Sequence, residues 1–191
     1  SKKNYVYTSI KMNFCAKKTG LDGLLEIDLN EYKDSRGYFS ETYKKSDFAD
    51  ISIDTEFVQD NESSSKKGVL RGLHFQIPPY AQCKLVRVVR GKIKDVVVDI
   101  RKSSLTYGKW KSFILENGGK MLWVPEGFAH GFLSLEDDSI VQYKLTEYYM
   151  PNSQLGIAWD DPDLAIDWGK GDFIISEKDR KHPLFKDINY F

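Results

Sequence analysis

A histidine and a lysine lie ten residues apart in VLRGLHFQIPPYAQCKLVRVVRG, residues 69–91, a segment that otherwise has the pattern of buried strands. His74 can exchange a proton near neutral pH, and Lys84 can stabilise negative charge on an oxygen. Proton removal next to a ketone needs such a base and such a cation, and inversion also needs a proton donor on the opposite face. Tyr143 in SIVQYKLTEYY is a suitable donor, although tyrosines on aromatic-rich strands usually serve packing.

A metal site is the alternative for histidines in a β-rich chain. A divalent transition metal needs three or more nitrogen, sulfur or carboxylate ligands that converge on one point. Gln76 stands two residues after His74, no second histidine lies nearby in sequence, and Lys84 would repel a cation. We therefore expect no metal and no redox cofactor.

The other histidines and two arginines have different sequence settings. His130 follows the turn PEGFA at the start of a predicted strand, whereas His182 precedes a proline in a charged tail and is interpreted as a surface residue. Arg36 and Arg71 carry forked donors that match the oxygens of a diphosphate. There is no glycine-rich phosphate loop followed by a helix, so a nucleotide would be bound by side chains on strands.

Short strands must position these groups, because turn residues recur at short intervals and segments with helical spacing of apolar residues are scarce. Strands are predicted at residues 24–30, 57–63, 69–76, 84–91, 92–102, 112–118, 120–126, 130–135 and 139–149. Alternation along the third of these places His74 and Gln76 on one face and Arg71 on the other. Short helices are predicted at SDFADI and SEKDRK, capped by Ser46 and Ser176. The pattern predicts a mainly β jelly-roll barrel with a few short helices.

The composition limits the class of partner. The 191 residues carry 28 acidic and 28 basic side chains, so no overall field favours nucleic acid or an anionic membrane. We expect an N-terminal extension or arm at residues 1–19 and a single domain at residues 20–191. Cys15 and Cys83 form no metal-like pair and fit free thiols in a cytoplasmic protein.

Several separated segments resemble one enzyme family. They include DSRGYFSETY, FVQDNESSS, GVLRGLHFQ, WVPEGFAHGF, YKLTEYYMP and GIAWDDPDLAIDW, and together they extend over nearly all of residues 20–185. The chain resembles the dTDP-4-dehydrorhamnose 3,5-epimerases, which are cupin-type enzymes that act on nucleotide-linked 4-keto-6-deoxy sugars. The resemblance implies a cupin-like double-stranded β-helix. The turn PEGFAH also resembles a motif of metal-binding cupins, but Gln76 breaks the companion motif.

The resemblance implies a role for each matching position. His74 matches the general base, Asp179 the carboxylate that orients it, Tyr143 the proton donor and Lys84 the cation near the keto oxygen. Substrate contacts are implied for Arg36, Glu41, Gln59, Asn61, Arg71, His130, Tyr149, Gln154 and Lys178, with Tyr149 stacked on the nucleotide base. From sequence alone, Asp179 would be interpreted as a helix-capping residue.

We therefore expect a homodimeric enzyme that epimerises C3 and C5 of a nucleotide-diphosphate sugar, chiefly dTDP-4-dehydro-6-deoxy-D-glucose. Alternatives are an epimerase of one carbon only, an epimerase of another nucleotide sugar such as a GDP-linked 4-keto-heptose, and a 3,4-ketoisomerase. Outside this reaction type, a metal-dependent cupin dioxygenase and a non-catalytic sugar-binding jelly roll remain open.

Overall fold

A computed structural model describes residues 13–191. The strands are β1 (Phe14–Lys18), β2 (Leu25–Leu29), β3 (Tyr32–Asp34), β4 (Gly37–Phe39), β5 (Gln59–Ser65), β6 (Leu70–Gln76), β7 (Lys84–Arg90), β8 (Lys92–Asp99), β9 (Trp110–Glu116), β10 (Lys120–Val124), β11 (Phe128–Ser134), β12 (Ser139–Leu145) and β13 (Gln154–Gly156). Two short α-helices, α1 (Lys45–Asp50) and α2 (Glu177–Arg180), and a 3-10 helix (Phe185–Asp187) complete the elements.

Two antiparallel sheets form the barrel. One has the strand order β1-β2-β10-β7-β12-β5 and the other β13-β6-β11-β8-β9, while β3 and β4 form a separate hairpin. Each of the nine predicted strands is present, and the predicted cupin-like jelly roll is confirmed. Four short strands, β1, β3, β4 and β13, were not predicted, and β12 ends at Leu145 rather than at Tyr149.

Apolar side chains fill the space between the sheets. This inner cluster contains Leu21, Leu24, Val86, Val88, Ile93, Val97, Phe113, Leu115, Leu122, Val124, Phe128, Phe132 and Val141. Val96 and Val98, which alternate with Val97 on β8, belong to a second cluster on the outer side of the five-stranded sheet. Leu164 and Trp168 join that second cluster, so the segment after β13 covers this face of the barrel.

Helix α1 covers part of the six-stranded sheet. Phe48 of the helix packs in a third cluster with Phe14 of β1 and Met121 of β10. The N-cap of α1 is Lys44, without a side-chain capping bond, so the prediction that Ser46 caps this helix is wrong. Ser176 caps α2 as predicted, because its hydroxyl accepts a hydrogen bond from the Asp179 N–H at 3.1 Å.

The N-terminal boundary of the domain stays a prediction. Strand β1 pairs with β2 from Phe14 to Lys18, so residues predicted to form an extension contribute to the sheet. The rest of the predicted extension, residues 1–12, lies outside the described residues. Within residues 13–191, no helix is long and apolar enough to cross a membrane.

One irregularity in β6 changes the direction of a predicted binding residue. The register between β6 and β11 shifts between His130 and Phe132. A Cβ at Gly72 would lie 2.6 Å from the Gly131 Cα, so only glycine permits this close approach. As a result Arg71 contacts the opposite sheet, where it donates to Ser65 Oγ at 3.1 Å. The prediction that Arg71 and His74 lie on opposite faces is therefore wrong.

Candidate active site

The imidazole of His74 is paired with a carboxylate from the far end of the chain. His74 Nε2 lies 2.7 Å from Asp179 Oδ1, across 105 sequence positions. The second carboxylate oxygen, Oδ2, accepts a hydrogen bond from the Gly72 N–H at 3.1 Å. The Ser176 cap fixes the first turn of α2, which carries Asp179.

The environment sets the charges of this pair. Burial lowers the pKa of His74, and the Asp179 carboxylate opposes part of that effect. Burial alone would raise the pKa of Asp179, but hydrogen bonds from His182, His74 and the Gly72 N–H outweigh it and hold that pKa well below its ordinary value. Near pH 7 the pair is a neutral imidazole beside a carboxylate. With Nε2–H donated to Asp179, Nδ1 is the basic nitrogen of His74.

Alternation along the strands places five polar side chains in the space between the sheets. Lys84 shares its face of β7 with Val86, Tyr143 shares its face of β12 with Val141, and Asp95 shares its face of β8 with Val97, and these three valines belong to the inner cluster. His130 lies between the inner-cluster residues Phe128 and Phe132 on β11. His74 faces the same space, since its neighbours Leu73 and Phe75 belong to the outer cluster.

Lys84 is the cation of this group. Burial lowers its pKa from 10.5 to about 8, and the charge of Asp95 opposes the effect. A lysine desolvated to this degree is a strong donor to an anionic oxygen, because water does not screen its charge. The structure thus places Lys84 where its charge also acts on His74.

A second histidine–carboxylate pair lies beside the first. His130 Nε2 is 2.7 Å from Asp95 Oδ2, and Asp95 is fully buried. Among the described residues, Asp95 Oδ1 has no hydrogen-bond partner. Asp95 was not among the predicted site residues, because nothing in the sequence pattern separates it from Asp99 on the same face of β8.

Tyr143 lies on β12, next to the edge strand β5 of the six-stranded sheet. Tyr143 is opposite Asn61 on β5 and packs against the inner cluster. Gln59 donates to Asn61 Oδ1 at 2.9 Å and accepts from the Tyr149 N–H at 2.9 Å. Gln59 therefore holds the backbone of Tyr149, a residue that is 46% exposed and available for stacking.

Gln76 has a structural role at the rim of the barrel. Its amide donates to the carbonyls of Tyr80 and Tyr148 at 2.7 and 3.1 Å, and its oxygen accepts from the Met150 N–H at 2.8 Å. Gln76 therefore ties the segment after β12 to β6. Nearby, Lys178 donates to Gln154 Oε1 at 2.9 Å, so two predicted binding residues from distant segments meet at this rim.

Arg36 and Glu41 lie away from these residues. Arg36 is at the turn of the β3–β4 hairpin, where its exposed guanidinium forms a forked ion pair with Asp34. Glu41 follows the hairpin and accepts a hydrogen bond from Asn13. Tyr38 of the hairpin contacts Asn117 at the end of β9, outside the barrel space. Within one chain, the described structure does not bring Arg36 or Glu41 to His74.

His182 joins the His74–Asp179 pair, which corrects its prediction as a surface residue. Its side chain is 9% exposed, and Nε2 lies 3.2 Å from Asp179 Oδ1. The sequence signal for this contact is the three-residue spacing from Asp179, which spans about one turn of helix. Two histidines and a carboxylate within 4.8 Å have the composition of a metal-ligand set. Their 2.7 and 3.2 Å separations are also those of ordinary hydrogen bonds, and the expectation of a metal-free site stays a prediction.

The double-stranded β-helix, with polar and ionisable side chains between its sheets, defines the chain as a cupin-like barrel enzyme. A family model described as dTDP-4-dehydrorhamnose 3,5-epimerase matches residues 18–187. The chain belongs to this family of isomerases, as predicted.

Similar proteins support the same assignment. The dTDP-4-dehydrorhamnose 3,5-epimerase of Methanothermobacter thermautotrophicus is 54% identical over 167 residues, covering 85% of this chain and 90% of the relative. The crystal structure of the Legionella pneumophila dTDP-6-deoxy-D-glucose-3,5-epimerase in complex with dTDP-4-keto-L-rhamnose has a TM-score of 0.88 and 42% identity, covering 92% and 95% of the two chains. A 3'-monoepimerase of Streptomyces bikiniensis in complex with dTDP-quinovose has a TM-score of 0.84 and 29% identity, covering 88% and 86%.

Proposed function

We propose that the protein epimerises C3 and C5 of dTDP-4-dehydro-6-deoxy-D-glucose and forms dTDP-4-dehydro-L-rhamnose. The observation that carries this proposal is the His74–Asp179 pair, which faces the same space between the sheets as Lys84 and Tyr143. The family assignment supports the substrate class, and the geometry supports the roles of base, cation and proton donor for His74, Lys84 and Tyr143.

The mechanism begins at the base. Nδ1 of His74 takes a proton from C5, and Asp179 stabilises the imidazolium that forms. The electrons of the C–H bond form a carbon–carbon double bond, while the C4 carbonyl electrons move to oxygen and give an enolate. Lys84 stabilises this oxygen through its ammonium group. When Tyr143 donates its proton to C5 from the opposite face, the carbonyl re-forms and the configuration is inverted.

The same cycle at C3 completes the reaction. Each inversion leaves His74 with an extra proton and Tyr143 without one, and exchange with solvent restores both groups before the next inversion. Solvent hydrogen is thus introduced at each inverted carbon. The ketone of the substrate supplies the activation, so no redox cofactor takes part.

Substrate binding is proposed for side chains around the barrel opening. Arg71 contacts the opposite sheet through Ser64 and Ser65 and is directed across the barrel, where its charge suits the diphosphate. Tyr149 stacks on the thymine base. The remaining proposed contacts are Glu41, Gln59, Asn61, His130, Gln154 and Lys178, together with Arg36 on the diphosphate.

A homodimer would explain the position of Arg36 and Glu41. Tyr32, Tyr38 and Phe39 of the β3–β4 hairpin are 48%, 55% and 65% exposed, which is unusual for aromatic side chains that cover no partner. We propose that this hairpin contacts a second copy of the chain and carries Arg36 and Glu41 into its barrel.

We also propose a cytoplasmic location, since Cys15 and Cys83 are free thiols.

Epimerisation of a single carbon is the second candidate, because the chain is also similar to the 3'-monoepimerase of Streptomyces bikiniensis. Incubation with dTDP-4-dehydro-6-deoxy-D-glucose in heavy water separates the two. Deuterium at both C3 and C5 supports the 3,5-epimerase, and deuterium at one carbon supports the second candidate. Exchange with a GDP-linked 4-keto-heptose alone would mean that the substrate is that nucleotide sugar. Binding without exchange would indicate a sugar-binding protein. Stoichiometric metal by elemental analysis would contradict the metal-free proposal.

A further inference from the structure

Two histidines share one oxygen of the Asp179 carboxylate. His74 Nε2 and His182 Nε2 lie 2.7 and 3.2 Å from Asp179 Oδ1. The two rings are edge to face, with an interplanar angle of 82° and centroids 5.5 Å apart. Each hydrogen bond to Oδ1 withdraws charge from that oxygen, so the two donors compete for the same acceptor.

The position of His182 is fixed by packing. A Cβ at Gly156 would overlap the His182 ring, and Gly156 pairs with His74 in the β13–β6 register. The ring is thus held between α2 and β13, and Pro183 follows it directly in the chain. The carbonyl of Pro183 accepts a hydrogen bond from the Ala158 N–H at 2.8 Å, which anchors the segment after His182.

We propose that His182 is a positioning residue for the base of this enzyme: its ring N–H holds Asp179 Oδ1 and limits how strongly that carboxylate attracts the proton of His74. This inference rests on the proposed function only where it treats His74 as the base. It assigns to His182 a role outside the proton transfers, because its contact is with the carboxylate.

The charged neighbours determine the direction of the effect. His74 is influenced by the Asp179 carboxylate, which favours its protonated form, and by Lys84 and His182, which disfavour it. Loss of His182 leaves Asp179 Oδ1 with one donor, so the carboxylate attracts the His74 proton more strongly. We therefore expect the pKa of His74 to rise when His182 is replaced by an apolar residue.

The titration of His74 tests this inference without any substrate. The chain contains only three histidines, so the imidazole signals of a protein labelled with isotopic histidine can be assigned by single substitutions. His182→Leu removes the donor, and a higher pKa of His74 is expected. His182→Gln keeps an N–H donor at a similar reach, and a titration of His74 closer to that of the wild type is expected.

A second variant leaves the side chains of His74, Asp179 and His182 all in place. Gly156→Ala displaces the His182 ring from its position, and it should change the titration of His74 in the same direction as His182→Leu. Superimposable His74 titrations in the wild type and in folded His182→Leu would overturn the proposal. If His182→Leu does not fold, an unchanged titration in Gly156→Ala overturns it instead.

Kinetics provide a separate readout. In His182→Leu the acid limb of kcat/KM should move to higher pH, with a loss of about threefold to tenfold at pH 6 and a smaller loss at pH 8. An equal loss at every pH would indicate a merely structural role and contradict the proposal. A wild-type protein without proton exchange at C3 and C5 would refute the proposed function. The comparison of His74 titrations needs no substrate, so it would still test the role of His182.

Discussion

His130 lies directly opposite His74 across the β11–β6 pair, and each imidazole is 2.7 Å from a different buried carboxylate. The two pairs differ in access to the cavity. The His74 side chain is 25% exposed and the His130 side chain 8%, so His74 has the more accessible ring. The barrel thus contains two similar pairs, of which we assign only the first to proton abstraction.

Replacement of each histidine distinguishes the two pairs. His74→Asn should reduce deuterium exchange at C3 and C5 at least about a hundredfold, because the base is lost. His130→Asn is the matched control on the adjacent strand β11, and it should retain measurable exchange with weaker substrate binding. Product NMR in heavy water measures both. Full turnover in His74→Asn would refute the assignment of the base.

Tyr143→Phe separates proton removal from proton return. His74 would still remove a proton, so exchange at C3 and C5 should continue, but inversion should fall about tenfold to a hundredfold because the donor is absent. Deuterium incorporation and product configuration are followed in the same NMR sample. Equal losses of exchange and inversion would show that Tyr143 does not act as the opposite-face donor.

Lys84→Met should increase stability while abolishing activity. The pKa of Lys84 falls from 10.5 to about 8 on folding, so the charged ammonium destabilises the native state by about 3 kcal/mol below pH 8. Above pH 8 the folded lysine is neutral, whereas the lysine of the unfolded chain keeps its proton until about pH 10.5. The penalty therefore decreases as the pH rises from 8 to 10.5. Urea unfolding at pH 7 and pH 10 should show the stability advantage of Lys84→Met shrinking.

Lys144→Met is the control for this substitution. Lys144 pairs with Asp60 on the outer face of the same sheet, where an exposed ion pair contributes little. Its replacement should change the free energy of unfolding by no more than about 0.5 kcal/mol at either pH. A similar gain in stability from both substitutions would mean that any replacement of a lysine by methionine stabilises the protein, and that removal of a buried charge is not the cause.

Asp179→Asn should remove activity and change the acid dependence of stability. The folded-state pKa of Asp179 lies below its ordinary 3.8, so the carboxylate stabilises the protein above about pH 4 and loses this effect as the pH falls further. The variant should be about 2 kcal/mol less stable at pH 7, and the difference from the wild type should shrink below pH 4. Asp172→Asn, an exposed carboxylate in the same tail, is the control for urea unfolding.

Mixing two inactive variants tests whether the partner supplies Arg36. In a hybrid dimer of Arg36→Ala and His74→Asn chains, one barrel has an intact His74 and receives an intact Arg36 from the other chain. If all chains pair at random, about half of the dimers are hybrids, and about a quarter of wild-type activity should return. No recovery after subunit exchange, with hybrid formation confirmed by mass spectrometry, would show that Arg36 does not complete the partner's site.

Much of this site can be predicted from the strand pattern. Alternation places Tyr143 on the inward face of its strand, between Val141 and Leu145, and it places His74 on the face opposite the apolar Leu73 and Phe75. Lys84 shares its face with Val86. Their grouping requires the strand order β6-β11 and β7-β12, which hydrophobic alternation does not specify because the paired strands are distant in sequence.

Other features depend on tertiary contacts that the sequence does not display. Arg71 lies on the same face of β6 as His74 because the register shifts beside Gly72. A one-residue irregularity moves every following side chain to the opposite face from the one that alternation predicts. His182 was predicted at the surface because charged residues and a proline surround it, yet its ring is buried against Asp179. Asp179 itself has the local pattern of a helix cap, and only the resemblance indicated its contact with His74.

The order of the site residues along the chain has a consequence for biosynthesis. His74, Lys84, Asp95, His130 and Tyr143 all belong to strands that end by Leu145, whereas Asp179 and His182 follow them. Since the ribosome makes the chain from its N-terminus, the strands that line the barrel emerge before the carboxylate that pairs with His74. A nascent chain that ends shortly after β13 therefore carries the lysine, the tyrosine and an imidazole without its counter-charge. The contact between His74 and Asp179 therefore forms only late in translation, when α2 docks beside β6.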